Sequence, residues 1–159
     1  HNKLNGKSVT AILHFMNGTP YDWFSKLQSV VNTATYGSES TAARTAIEQM
    51  RTNKMTLQYL GVPIVGPSIL FGDNKTVVDS SSLPQSKLHK RHLMLSYHYV
   101  REALATGEYV YSFVNGKINP SDILSKHWAH KDVWPLLNTL LFWKGDTLNL
   151  HRSMNKEEE

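Results

Sequence analysis

The spacing of apolar and polar residues changes several times along the chain, and each change predicts an element. Ser8–Met16 (SVTAILHFM) is rich in β-branched and aromatic residues and runs into Asn17–Gly18, a strong hairpin signal. Pro20–Lys26 reads as the returning strand, with Trp23 and Phe24 offered to its two faces. Val30–Tyr36 reads as a connector. From Ser38 to about Leu60 the spacing of Ala43, Ala46, Ile47, Met50, Leu57 and Leu60 is helical, interrupted at Lys54, with Gly61 and Pro63 as stops. The apolar run Ile69–Leu70–Phe71 between Pro67 and Gly72 predicts a buried strand. A short helix over Lys75–Ser80 follows, then a Ser/Pro loop and a second long helix over Lys87–Thr106, closed by Gly107. Glu108–Val114 alternates as a strand and turns at Asn115–Gly116. Ile123–Trp128 and Lys131–Trp143 read as two further helices, the last with Asp132 as N-cap and Gly145 as stop. This order of hairpin, helix, strand, helix, strand, helix predicts a mixed α/β domain over residues 1–150, with Arg152–Glu159 a charged tail of disordered composition.

Composition narrows the class. At 159 residues the chain is long enough for one domain with a real core. No apolar run approaches the ~20 residues of a membrane span, and the polar His1–Lys7 has no apolar segment behind it to read as a leader. The absence of cysteine excludes disulfides and thiolate metal sites and suits an intracellular setting. Seventeen Lys and Arg against 13 Asp and Glu give a net charge of +4. The excess is concentrated in Lys87, His89, Lys90, Arg91 and His92, with Arg101 beyond and tyrosines such as Tyr97 interleaved. Cations and aromatics on one helix suit a nucleic-acid backbone, although a solvated helix face has the same composition. The histidines here do not read as a zinc site, because Lys90 and Arg91 repel a cation and no cysteine or acid completes a tetrahedral set.

Three acids occupy related positions: Glu39 at a helix start, Asp73 at the end of the Ser68–Gly72 strand, and Asp122 at a helix start after a strand. Each has an ordinary explanation. Acids match the dipole at a helix N-terminus, and Asp73–Asn74 suits an N-cap. Brought together by folding, however, three carboxylates would raise one another's pKa unless cations lay between them. Hard, oxygen-seeking Mg²⁺ or Mn²⁺ fit such a set, and two such ions can activate water and stabilise the leaving oxygen in phosphodiester cleavage.

Five blocks appear in order: Asp22–Trp23–Phe24–Ser25–Lys26, Thr35–Tyr36–Gly37–Ser38–Glu39, Phe71–Gly72–Asp73–Asn74–Lys75, Lys87–Leu88–His89–Lys90–Arg91–His92 with Tyr97–His98, and Asn119–Pro120–Ser121–Asp122–Ile123–Leu124–Ser125–Lys126. Through them the sequence resembles the ribonuclease H domain of copia-type LTR retrotransposon polyproteins, from about Ser8 to Gly145. The resemblance implies an RNase H-like fold, a five-stranded mixed sheet with helices on both faces. It implies hydrolysis of the RNA strand of an RNA–DNA hybrid beside an upstream reverse transcriptase domain. It also implies Glu39, Asp73 and Asp122 as ligands of two Mg²⁺ or Mn²⁺ ions, with Asp73 bridging. Candidate nucleic-acid contacts are Asn74, Lys87, His89, Lys90, Arg91, His92, Tyr97 and Arg101. The family's remaining acid belongs to a first, central strand that falls before His1, so the chain as given is expected to be inactive or weak and its Ser8–Met16 strand to lack a neighbour. A catalytically dead binding or scaffold module is the alternative. An integrase relative fits less well, because such enzymes place their glutamate last among the acids and Glu39 comes first.

Overall fold

The computed structural model describes residues 7–29, 34–86, 88 and 93–141. The hairpin forms as its sequence predicts: β1 (Val9–Met16) pairs antiparallel with β2 (Thr19–Leu27). Asn17 and Gly18 make the turn at φ of 51° and 83°, a left-handed conformation that Asn and Gly tolerate. Alternation along β1 turns Thr10, Ile12 and His14 inward. The buried His14 is satisfied, its Nε2 lying 2.9 Å from Gln49 Oε1. β2 is far more open, with Trp23 70% exposed.

The long helix α1 spans Thr35–Tyr59, starting three residues before the expected Ser38. Its buried stripe is made of small residues, Gly37, Ser38, Ser40, Ala43 and Ala46, together with Ile47. These let the helix approach the strands closely. The stripe does not reach the helix end, where Leu60 is largely exposed. β3 (Ser68–Gly72), α2 (Lys75–Ser82), α3 (Met94–Ala105) and β4 (Tyr109–Phe113) follow, and β4 pairs parallel with β3. Two 3-10 segments, Gly116–Ile118 and Pro120–Leu124, lead to α4 (His130–Leu141).

One core joins Ile12 of β1, Leu70 of β3, Ala43, Ala46 and Ile47 of α1, Val77 and Val78 of α2, Val100 and Ala103 of α3, and Tyr109 and Tyr111 of β4. The fold is thus mixed α/β, as expected. Instead of one five-stranded sheet, the described residues form two two-stranded ladders, β1–β2 and β3–β4, both packed on α1. Several expectations change in detail. β3 is covered on one side only: Leu70 is buried, while Ile69 and Phe71 are 54% and 61% exposed, because no described element covers that face. A run of three apolar residues cannot show by itself whether both faces are packed. The segment expected as a helix over Ile123–Trp128 is the 3-10 turn Pro120–Leu124, which closes because the Asp122 carbonyl accepts from the amides of Ser125 and Lys126. Asp132 lies within the first turn of α4, which begins at His130, rather than capping it. The predicted start of the second long helix and the tail from residue 142 onward fall outside the described residues. No helix among the described residues is long and apolar enough to cross a membrane.

Candidate acidic site

Three different elements carry the three acids. Glu39 stands in the second turn of α1, not the first, because the helix starts at Thr35; the helix dipole therefore gives it little support. Asp73 follows directly on β3. The capping alternative for Asp73–Asn74 resolves onto Asn74, whose Oδ1 accepts from Val77 N at the start of α2, so the Asp73 carboxylate is not needed there. Asp122 is buried in the Pro120–Leu124 segment, held by the Asn119 cap, which accepts from Ser121 N.

Folding brings these charges within each other's field. The Glu39 carboxyl is pushed up from 4.5 to about 7, first by burial, then by Asp73 and Asp122, with Lys126 opposing the shift. Tyr111, from β4, lies in the same environment: burial and then the charges of Glu39 and Asp73 push its phenol upward. Two glycines make room. A Cβ on Gly72 would lie 2.5 Å from Tyr111 Oη, so the ring packs where only glycine leaves space. A Cβ on Gly116 would lie 3.3 Å from Asp73 Oδ2, which places the Gly116–Ile118 turn directly over that carboxylate.

Asp122 is fixed from several directions. Its backbone oxygen accepts from the Trp128 indole at 3.0 Å and from Ser125 Oγ at 3.2 Å. Its carboxylate Oδ2 accepts from Lys126 Nζ at 2.5 Å. Ser25 Oγ donates to Leu124 O at 2.8 Å, tying the hairpin to this turn across 99 residues of sequence. The donor set is all hard oxygen, which suits a divalent cation. It is an open arrangement: among the described residues no three of His, Cys, Asp or Glu converge closely enough to hold a metal ion. A cleft of about 390 Å³ lined by Arg51, Lys54, Gln58, Glu108 and Tyr109 opens at the opposite, N-terminal ends of β3 and β4.

The predicted nucleic-acid contacts divide. Lys87, His89, Lys90, Arg91 and His92 lie outside the described residues. Asn74, Tyr97 and Arg101 are described, and all three hold the fold. The Arg101 guanidinium donates to the carbonyls of Ser80, Leu83 and Pro84 and to Tyr97 Oη, at 2.9–3.1 Å. Tyr97, only 5% exposed, donates a hydrogen bond from its hydroxyl to Ser86 O at 2.8 Å. The buried ring offers no face for a base to stack on. Together the two side chains fasten the loop that precedes the basic stretch.

Sequence reasoning singled out Gly72 as a point of close approach but missed Lys126, Tyr111 and Gly116. Lys126 had a visible signal in its i, i+4 spacing from Asp122; the contacts of Tyr111 and the glycines depend on packing alone.

No family model matches the chain, and no solved structure matches it. Over 122 residues, 77% of the chain, it is 29% identical to the Retrovirus-related Pol polyprotein from transposon TNT 1-94 of Nicotiana tabacum. The chain spans 9% of the length of that polyprotein. It is therefore similar, over most of its own length, to one segment of a retrotransposon Pol polyprotein.

Proposed function

We propose that the chain is a metal-dependent ribonuclease H module of a retrotransposon polyprotein, acting on the RNA strand of RNA–DNA hybrids beside a reverse transcriptase domain. The observation that carries this reading is the shared field at Glu39, raised to about 7 by burial together with Asp73 and Asp122. Three acids far apart in sequence and electrostatically coupled after folding are a costly arrangement without a cation to offset them. The similarity to a Pol polyprotein segment supports the same reading from an independent direction. Glu39, Asp73 and Asp122 would hold Mg²⁺ or Mn²⁺, whose chemistry is to lower the pKa of water and to stabilise the leaving oxygen. The chain's own part is to fix the acids: Gly72 and Gly116 let Tyr111 and the 3-10 turn close around Asp73, and the Trp128 and Ser125 contacts set Asp122.

The two separate ladders support the further reading that the intact module has a strand between β1 and β3, carrying the remaining acid. A labelled RNA–DNA hybrid tests both points. The chain extended upstream is expected to cleave it with Mg²⁺ or Mn²⁺, the chain as given weakly or not at all. Asp73→Asn in the extended form is expected to abolish cleavage and retain binding. Robust cleavage by the short chain would remove the need for the upstream acid. The open spacing of the described acids favours a second reading, a binding or scaffold module that no longer cleaves. Hybrid binding without cleavage by the extended chain supports that alternative.

A further inference from the structure

The cleft at the N-terminal ends of β3 and β4 takes no part in the acid site. The length of β3, roughly 15 Å at about 3.3 Å per residue, separates it from Asp73. On its α1 wall Arg51 and Lys54 share one helix face at i, i+3, with Met55 beside them. Both cations are half-buried. The Arg51 guanidinium lies 5.3 Å from the Tyr99 ring centroid, and Nη1 donates to Tyr99 Oη at 3.2 Å. Lys54 Nζ stands 5.0 Å from the Tyr109 ring centroid and donates to the Glu108 carbonyl at 3.4 Å. Two cations are thus held at one concavity with no carboxylate in ion-pair reach. Among the described residues the ion pairs are Arg44–Glu48 and Lys126–Asp122.

A second observation points the same way. Tyr109 borders the cleft and is 2% exposed. Its hydroxyl is buried without a hydrogen bond of good geometry, although the Arg51 guanidinium stands beside it. A buried hydroxyl in that condition marks a missing partner. With an arginine and a lysine alongside, the fitting partner is an oxyanion, which accepts from all three and is opposed by Glu108 alone. The tetrahedral oxygens of phosphate reach donors on different walls, whereas a carboxylate offers two oxygens in one plane. The volume of about 390 Å³ exceeds that of the group itself and lies in the range of small-molecule sites. Met55 and Ile64 give apolar surface to whatever carries the phosphate.

We propose that this cleft binds a phosphate group, with Arg51 and Lys54 as its charged donors and Tyr109 Oη as a third. The site is separate from Glu39, Asp73 and Asp122 and does not depend on their holding a metal. Amide NMR of the full chain in EDTA, at constant ionic strength, tests it with inorganic phosphate, adenosine 5′-monophosphate and adenosine as probes. Both phosphate probes are expected to shift the amides of Gly66, Glu108 and Tyr109 saturably, and adenosine to leave them unmoved. Tighter binding of the monophosphate assigns the group to an organophosphate; equal affinities assign it to free phosphate. Arg51→Met and Lys54→Met are each expected to weaken binding about 5- to 20-fold, the range of one charge-assisted hydrogen bond in a half-open site. Glu108→Gln is expected to tighten it about 2- to 5-fold by removing the opposing charge. Tyr109→Phe, which deletes only the hydroxyl, is expected to weaken binding without lowering the Tm of the ligand-free chain. Circular dichroism checks that each variant is folded, and Arg51→Lys is expected to retain most of the affinity. In folded wild type, no saturable shift with either phosphate probe, or shifts confined to amides away from the cleft, overturns the proposal. Unchanged affinity in both folded neutral variants, Arg51→Met and Lys54→Met, overturns it as well.

Discussion

Replacing Glu39 by Gln isolates the electrostatic cost of the acid site. In the folded chain Glu39 gives up its proton at about pH 7 instead of 4.5, because burial and then Asp73 and Asp122 disfavour its charge. Between these values the folded state holds a proton that the unfolded chain has lost, so stability falls as pH rises through the window. Above about pH 7 the whole penalty is present. At about 1.4 kcal/mol per pH unit the shift corresponds to about 3 kcal/mol. Glu39 is not fully sealed from solvent, so about 1–3 kcal/mol is the working range. Glu39→Gln removes the charge at every pH. In urea denaturation with EDTA the variant is expected to match wild type at pH 4.5 and to exceed it by 1–3 kcal/mol at pH 8.5, on the order of 3–10 °C in Tm. Millimolar Mn²⁺ at pH 8.5 should narrow the gap by stabilising wild type. An equal difference at both pH values, or a variant less stable than wild type at pH 8.5, would refute the reasoning.

Other substitutions probe the framework. Gly72→Ala drives a methyl group into the Tyr111 ring and is expected to lower stability by about 1–3 kcal/mol in denaturant melts, with Tyr111→Leu recovering part of the loss. Arg101→Met removes a charged donor from three carbonyls and a phenol; it is expected to cost about 2–3 kcal/mol and to speed hydrogen exchange selectively over residues 80–86. Asn74→Ala should cost about 1 kcal/mol by removing the α2 cap, and Asn74→Asp should retain it, both measured by thermal melting. Trp128→Phe keeps the ring and deletes the donor to the Asp122 carbonyl; weaker Mn²⁺ binding with little change in Tm would place that indole in the support of the acid.

Much of this was written locally in the sequence, and the exceptions share a cause. The hairpin was legible because Asn17–Gly18 sets its turn without help from distant residues. The separate acids were legible as positions, since a strand end and a cap sequence are local features, and folding then coupled their charges. The start of α1 was not, because Thr35, Tyr36 and Gly37 carry no apolar stripe to announce a helix. Whether Phe71 and Ile69 are covered depends on neighbours, not on the run itself. Tyr97 and Arg101 illustrate the same limit: a cation near an aromatic ring reads alike whether it faces substrate or grips a loop. Lys126 was visible but carried no weight until its contact with Asp122 was seen.

Within the described residues β1 and β3 each keep a backbone flank of amides and carbonyls outside any ladder, and beside the flank of β3 stand the uncovered side chains of Ile69 and Phe71. Such a flank templates whatever extended chain meets it first. At high protein concentration that will be another copy, so handling in dilute solution, or co-expression with a matching extended peptide, decides whether the preparation stays monodisperse. Light scattering across a dilution series would register the choice.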